Sequence, residues 1–153
     1  MAEYTKKDVE LMRKAIECGM KCTNVESAYN VGAVITDKNG SIISTGYSRQ
    51  YPGNTHAEQC ALMSIGDGPN KALLPEAALY TTMEPCSKRL SGNVPCLTRI
   101  LESGIKKVFF GVKEPPNFVD CSGVEQLIKH GVQAVHIKEL EDKCRQLNRH
   151  ITA

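Results

Sequence analysis

No apolar run in the 153-residue sequence approaches the ~20 residues of a membrane-spanning helix, which excludes a helical membrane protein. The stretch Met1 to Asp8 lacks the apolar core of a secretion signal, so the expected compartment is the cytoplasm. An excess of one charge is lacking too. Nineteen Lys and Arg face seventeen Asp and Glu, for a net charge of +2, and the longest basic runs are the pairs Lys6-Lys7 and Lys106-Lys107. Phosphate-tracking proteins concentrate positive charge on one face, so no nucleic-acid partner is expected. Internal repeats, low-complexity tracts and linkers are absent. With 41% hydrophobic and 24% charged residues the composition is that of a folded soluble protein, and residues 1–153 read as a single domain.

Cysteine, by contrast, is plentiful: Cys18, Cys22, Cys60, Cys86, Cys96, Cys121 and Cys144. An odd count in a chain expected inside the cell argues against a disulfide framework. Cys18 and Cys22 lie one helical turn apart and Cys60 one turn after His56, which suits small buried side chains. Cys121 and Cys144 have no ligand-type neighbours, and His130, His136 and His150 lack metal-ligand spacing. The chemistry therefore falls to Cys86 and Cys96.

Hydrophobic periodicity places helices and strands in alternation. Val9, Met12, Ile16 and Met20 mark an amphipathic helix from about Lys6 to Cys22, with Thr5 and Asp8 as its capping pair. Strands are expected at 31–36 and 41–46, forming a hairpin with Asn39-Gly40 at its tip. A helix follows over 56–65, broken at 66–70, then a strand over 77–82 and a helix over 95–103 ending at Gly104. A buried strand at 108–112, a helix at 124–129, a strand at 132–137 and a helix at 140–150 complete the chain. An antiparallel hairpin followed by alternating strands and helices predicts a mixed five-stranded sheet between helices, a three-layer α/β/α sandwich.

His56-Ala57-Glu58 opens the second helix. Two positions on a regular helix are about 200° apart, so the imidazole and carboxylate converge only where the chain is still entering the helix. Met83-Glu84-Pro85-Cys86 leaves a strand, and Pro95-Cys96 opens a helix nine residues later, after Ser87 to Pro95. A thiolate at a helix start is favoured by the amide dipoles, and a metal deprotonates it outright. One imidazole and two thiols are three zinc ligands, one short of a closed structural site and matching the catalytic pattern that keeps a position for water. One zinc per chain is expected on His56, Cys86 and Cys96, lowering the pKa of its water from 15.7 to about 7. Glu58 is then the proton shuttle, contributing ~10²–10⁴ in rate. His-x-Glu followed by a Pro-Cys pair is the signature of zinc deaminases, although their second gap is two residues rather than nine.

The longer gap resembles the deaminases of riboflavin biosynthesis. Val31-Gly32-Ala33-Val34, Gly46-Tyr47-Ser48, the run Pro52 to Ala61, the run Tyr80 to Cys96 and Gly111 to Pro115 are similar to the fungal-type diaminohydroxy(ribitylamino)pyrimidine phosphate deaminases, over about residues 9–145. The resemblance implies a cytidine deaminase-like fold. It also implies 2,5-diamino-6-ribitylamino-4(3H)-pyrimidinone 5′-phosphate as substrate, with the 2-amino group replaced by oxygen and ammonia released. Bacterial relatives carry Asn-Pro before the Val-Gly-Ala strand, where this sequence has Ala28-Tyr29-Asn30. They often carry a fused reductase as well, for which 153 residues leave no room, so reduction is assigned to another protein. A homodimer is expected from the family, with the neighbouring chain walling the pocket. In the insert, Lys88, Arg89, Ser91 and Asn93 are candidate substrate residues, Arg89 offering a bidentate fork to phosphate. Arg49, Asn54 and Ala57 around His56 are candidates too. Glu114 joins them at the carboxyl edge of the 108–112 strand, where open α/β sheets bind ligands.

Rival readings remain. Cytidine, cytosine or deoxycytidylate deaminases share the metal and the glutamate. A tRNA adenosine deaminase lacks support here, since the short Cys-x-x-Cys gap and a basic face are missing. An inactive zinc-stabilised binding module has no need of Glu58.

Overall fold

Thr5 starts the first helix as anticipated. Its Oγ1 accepts the Asp8 amide at 3.2 Å and its own amide donates to Asp8 Oδ2 at 2.8 Å, closing a capping box. The computed structural model describes residues 3–86, 94–113 and 122–151. Helix α1 (Lys6–Gly19) leads to strands β1 (Gly32–Thr36) and β2 (Ile42–Tyr47), helix α2 (Ala57–Ile65), strand β3 (Ala78–Met83) and helix α3 (Cys96–Ser103). Strand β4 (Lys107–Val112), helix α4 (Gly123–Lys129), strand β5 (Gln133–His136) and helix α5 (Glu141–Gln146) follow.

The five strands lie in the order β2-β1-β3-β4-β5. β1 pairs antiparallel with both β2 and β3, while β3–β4 and β4–β5 are parallel. This is the mixed sheet expected from the sequence. β1 is buried along its whole length and β3 and β4 from their second residue onward, whereas the edge strand β2 alternates. Leu11, Met12 and Ala15 of α1, with Leu140 and Cys144 at the C-terminal end, pack on Val34, Tyr80, Phe109 and Val135. Ala57, Ala61 and Ile65 of α2, Leu97 and Ile100 of α3 and Leu127 of α4 pack on Ala33, Ile35, Leu79 and Val108. Alternate strand residues thus serve opposite faces, giving three layers.

Across the parallel junction Tyr80 and Phe109 stack with centroids 4.5 Å apart, and the Tyr80 hydroxyl donates to Asp8 Oδ1 at 2.6 Å. Asp8 therefore caps α1 and ties it to the middle of the sheet. Burial and this carboxylate raise the Tyr80 pKa.

Four local features differ from the sequence expectation; the first is that α1 ends at Gly19, with Met20 as its C-cap, short of the expected Cys22. In the hairpin only Gly40 has positive φ (83°), so the turn is not the two-residue form in which both central residues are left-handed. Asp37 builds it instead, its Oδ1 accepting the amides of Asn39 at 2.8 Å and Ser41 at 3.0 Å. The break expected at 66–70 is shorter, because Pro69 and Asn70 already belong to a 3₁₀ helix, Pro69–Glu76. The last helix is short because Asn148 leaves it to clasp Asn30: its Oδ1 accepts the Asn30 amide at 2.5 Å and its Nδ2 donates to the Asn30 carbonyl at 3.1 Å. Among the described residues, no helix is long and apolar enough to cross a membrane.

Candidate active site

His56 is the N-cap of α2, with φ −95° and ψ 158°, so its side chain is off the helical track that begins at Ala57. The relation of about 200° on a regular helix therefore does not apply between His56 and Glu58. The His56 amide donates to Gln59 Oε1 at 3.3 Å and its carbonyl accepts the Cys60 amide at 2.9 Å, which fixes the turn. Glu58, in the first turn, is only 4% exposed. The helix start lies directly on β2: a Cβ at Gly46 would sit 2.3 Å from the Ala57 carbonyl oxygen and 2.6 Å from the Ala61 amide. Glycine is required there for the helix to approach the strand this closely.

The thiols come from the parallel half. Beyond Met83 the Glu84 amide donates to the Val112 carbonyl at 2.8 Å, carrying the chain past the sheet edge to Cys86. α3 begins at Cys96, whose amide donates to Cys86 Sγ at 3.2 Å while the Leu97 amide donates to the Cys86 carbonyl at 3.0 Å. His56 Nδ1 lies 3.6 Å from Cys86 Sγ and 3.4 Å from Cys96 Sγ. All three donor atoms are within 4.8 Å of one another, and among the described residues this is the one cluster of at least three metal-type donors.

The residues present fit a zinc ion. Bond lengths of about 2.0–2.1 Å to nitrogen and 2.3 Å to sulfur, at a tetrahedral angle, put ligating N and S about 3.6 Å apart. The observed separations of 3.6 and 3.4 Å match that spacing. The electrostatics agree. Hydrogen bonding from the Cys96 thiol, and after it the His56 ring and the Cys96 amide, hold the Cys86 thiol down at about 4 from an ordinary 9.0, against burial that pushes it up.

Other candidates are placed as follows. The Arg49 guanidinium is directed onto the 23–30 segment, donating to the carbonyls of Tyr29 at 3.2 Å and Thr23 at 2.8 Å and to Asn30 Oδ1 at 2.5 Å. Its backbone, at φ 63°, donates to the Thr55 carbonyl at 2.6 Å and so closes the loop before His56. Asn54 is exposed in that loop. Ala57 has its methyl in the core and its carbonyl against Gly46 of β2. Lys88, Arg89, Ser91, Asn93 and Glu114 lie outside the described residues, as does Cys121. Sequence reasoning gave no role to Glu84, which is 4% exposed and accepts the Val124 amide at 2.9 Å on Oε2. A carboxylate between the end of a strand and the Pro-Cys pair was its one visible signal.

An imidazole and two thiols brought together at the starts of two helices on a mixed sheet, with a buried glutamate two residues after the histidine, define the zinc deaminase class. Residues 5–112 match the cytidine and deoxycytidylate deaminase zinc-binding region, and the chain belongs to that family. It is 45% identical over 135 residues to the diaminohydroxyphosphoribosylamino-pyrimidine deaminase of Schizosaccharomyces pombe, covering 88% of this chain and 33% of that protein. With the riboflavin biosynthesis protein RibD of Actinobacillus pleuropneumoniae it shares 37% identity over 147 residues, 94% of this chain and 36% of the relative. The chain thus spans about a third of the length of these curated relatives. The Aspergillus oryzae Rib2 deaminase (C-terminal deletion mutant), solved in complex with DARIPP, superposes with a TM-score of 0.79 at 32% identity, covering 93% of this chain and 90% of that one.

Proposed function

We propose that this chain, read as one domain over residues 1–153, is a zinc-dependent hydrolytic deaminase of riboflavin biosynthesis. Its substrate is 2,5-diamino-6-ribitylamino-4(3H)-pyrimidinone 5′-phosphate, and its products are the 2,4-pyrimidinedione and ammonia. The observation that carries the reading is the convergence of His56 Nδ1, Cys86 Sγ and Cys96 Sγ, with the buried Glu58 two residues after the histidine in sequence. Likeness to a deaminase solved with the phosphorylated pyrimidine DARIPP supports the substrate class.

His56, Cys86 and Cys96 hold the zinc, which when bound supplies the Lewis acidity that makes a nucleophile of water at neutral pH. Glu58 takes a proton from the attacking water and passes it to the ring nitrogen next to the amino-bearing carbon; it then takes the remaining proton from the hydroxyl of the adduct and gives it to the amino group, which leaves as ammonia as the C–N bond breaks and the C=O bond forms. Burial of Glu58 among α2 and the sheet keeps that proton from exchanging freely with bulk solvent. Asn54, Ala57 and Arg49 frame the side of the pocket next to His56, Arg49 by holding the loop rather than by reaching outward. Lys88, Arg89, Ser91 and Asn93 take the ribityl phosphate, and Glu114 the ring or polyol. We further place the protein in the cytoplasm as a homodimer, which light scattering at micromolar concentration checks; a monomer there removes the dimer.

The test is ammonia release from a panel of aminopyrimidines by wild type and by the Lys88→Ala/Arg89→Ala double variant. Each charge-assisted contact to phosphate contributes ~1.5–3 kcal/mol, so kcat/KM on the phosphorylated ribityl compound should fall about ten- to hundred-fold per contact. The dephosphorylated analogue should be affected far less, and zinc content not at all. Equal losses on both substrates would refute phosphate reading by this loop. Efficient turnover of cytidine or cytosine, with none of the ribityl compound, would refute the riboflavin assignment.

A further inference from the structure

Two buried carboxylates each lie two residues in sequence from one of the three donors, and the chemistry above uses one of them. Glu58 sits on α2 with the histidine. Glu84 sits on the other side, two residues before Cys86 in the stretch that leaves β3, and is equally buried at 4% exposure. Its Oε2 accepts the Val124 amide at 2.9 Å, at the first turn of α4. The approach between these segments is close: a Cβ at Gly123 would lie 1.8 Å from the Pro85 carbonyl oxygen and 3.3 Å from Glu84 Cγ. α4 therefore begins directly on the peptide that joins Glu84 to Cys86.

Cys86 belongs to no helix or strand. What fixes it comes from two directions. From α3, the Cys96 and Leu97 amides hold its sulfur and its carbonyl. From α4, the Glu84 carboxylate and the Gly123 contact hold the residues just before it. We propose that Glu84 is a positioning residue for the metal centre: its carboxylate clamps α4 to the Pro85 peptide and so sets the place of Cys86 Sγ relative to His56 and Cys96. The inference rests on the zinc deaminase reading. It adds that metal retention depends on an acceptor oxygen at the right distance from Val124, and not on the charge of that group. Outer partners of this kind orient ligands they do not touch, and losing one commonly costs ~10–100-fold in metal affinity.

Three variants separate geometry from charge. Glu84→Gln keeps an oxygen at the same reach and removes the charge. Glu84→Asp keeps the charge and withdraws the oxygen by one methylene. Glu84→Ala removes both. Zinc affinity is read by competition with a chromophoric chelator, and the visible spectrum of the cobalt-substituted protein reports on the ligand geometry. Glu84→Gln should match wild type in affinity and cobalt spectrum. Glu84→Asp and Glu84→Ala should bind zinc ~10–100-fold more weakly, with a perturbed spectrum. Should Glu84→Ala fail to fold, the ordering of the Gln and Asp variants decides the matter. Wild-type behaviour in Glu84→Asp, or a loss in Glu84→Gln as large as in the others, overturns the proposal. A wild-type chain that takes up no stoichiometric zinc overturns the parent reading, and this one with it.

Discussion

On the face covered by α1 and α5, Cys144 is 1% exposed, and burial together with the Glu141 carboxylate pushes its thiol up to about 12. Where α2 and α3 begin, Cys86 is 6% exposed, yet its thiol is held down at about 4. Burial alone raises a thiol's pKa; hydrogen-bond donors and positive dipoles lower it. Cys144 has Gly111 and apolar strand residues around it, whereas Cys86 has a second thiol, an imidazole and a helix-start amide. The two faces of one sheet thus hold the same side chain in opposite states. One serves packing, the other chemistry, and substitutions should divide accordingly.

The largest effect should come from Cys96→Ala, which removes a donor and also the main influence holding Cys86 ionised. Elemental analysis of freshly purified, chelator-free protein should give one zinc per wild-type chain and only a small fraction of that in the variant. Near-stoichiometric zinc in Cys96→Ala would break the division between the faces. Next comes Glu58→Gln on the same side of the sheet. It should keep zinc and fold while kcat/KM falls ~10²–10⁴-fold, since the amide cannot accept the water's proton. Activity close to wild type would move the proton shuttle to another group.

The smallest effect belongs to the packing face. In the unfolded chain Cys144 ionises near the ordinary 9.0, whereas the folded chain keeps it protonated to about 12. The stability it contributes is therefore complete below pH 9 and is lost progressively between 9 and 12. Tm should fall as the buffer is raised through that window, and Cys144→Ala should flatten the slope while leaving zinc content unchanged. Tyr80, Cys18 and Cys22, also raised by burial, contribute to the slope that remains. An unchanged slope in the variant would remove Cys144 from the account.

The elements that local patterning could reveal were legible in the sequence. The capping box at Thr5, the five strands and their mixed pairing, and Gly104 as the stop after α3 all follow from short-range chemistry. So did the three donors, because a histidine just before a helix and a cysteine opening another each stand at the start of an element that the local pattern marks. What escaped depends on partners far along the chain. Asn148 bends the C-terminal helix short by reaching Asn30, 118 positions away. The Arg49 guanidinium turns to Asn30, 19 positions back, instead of outward. Glu84 finds Val124 at a separation of 40. No window of sequence contains both ends of these bonds, and a side chain's direction is set by the bond it makes.

The strand order β2-β1-β3-β4-β5 bears on how the molecule is built in time. After the first hairpin, β3 joins the free edge of β1, and β4 and β5 each join the edge of the strand before, so nothing has to be threaded between strands already paired. A chain emerging from its N-terminus can lay the sheet down in the order of synthesis, always growing on one side. His56 is in place early, and the two sulfurs arrive with the third strand and the helix after it. The contact of Glu84 with Val124 waits for α4, so the pocket is locked from its far side only near the end of assembly.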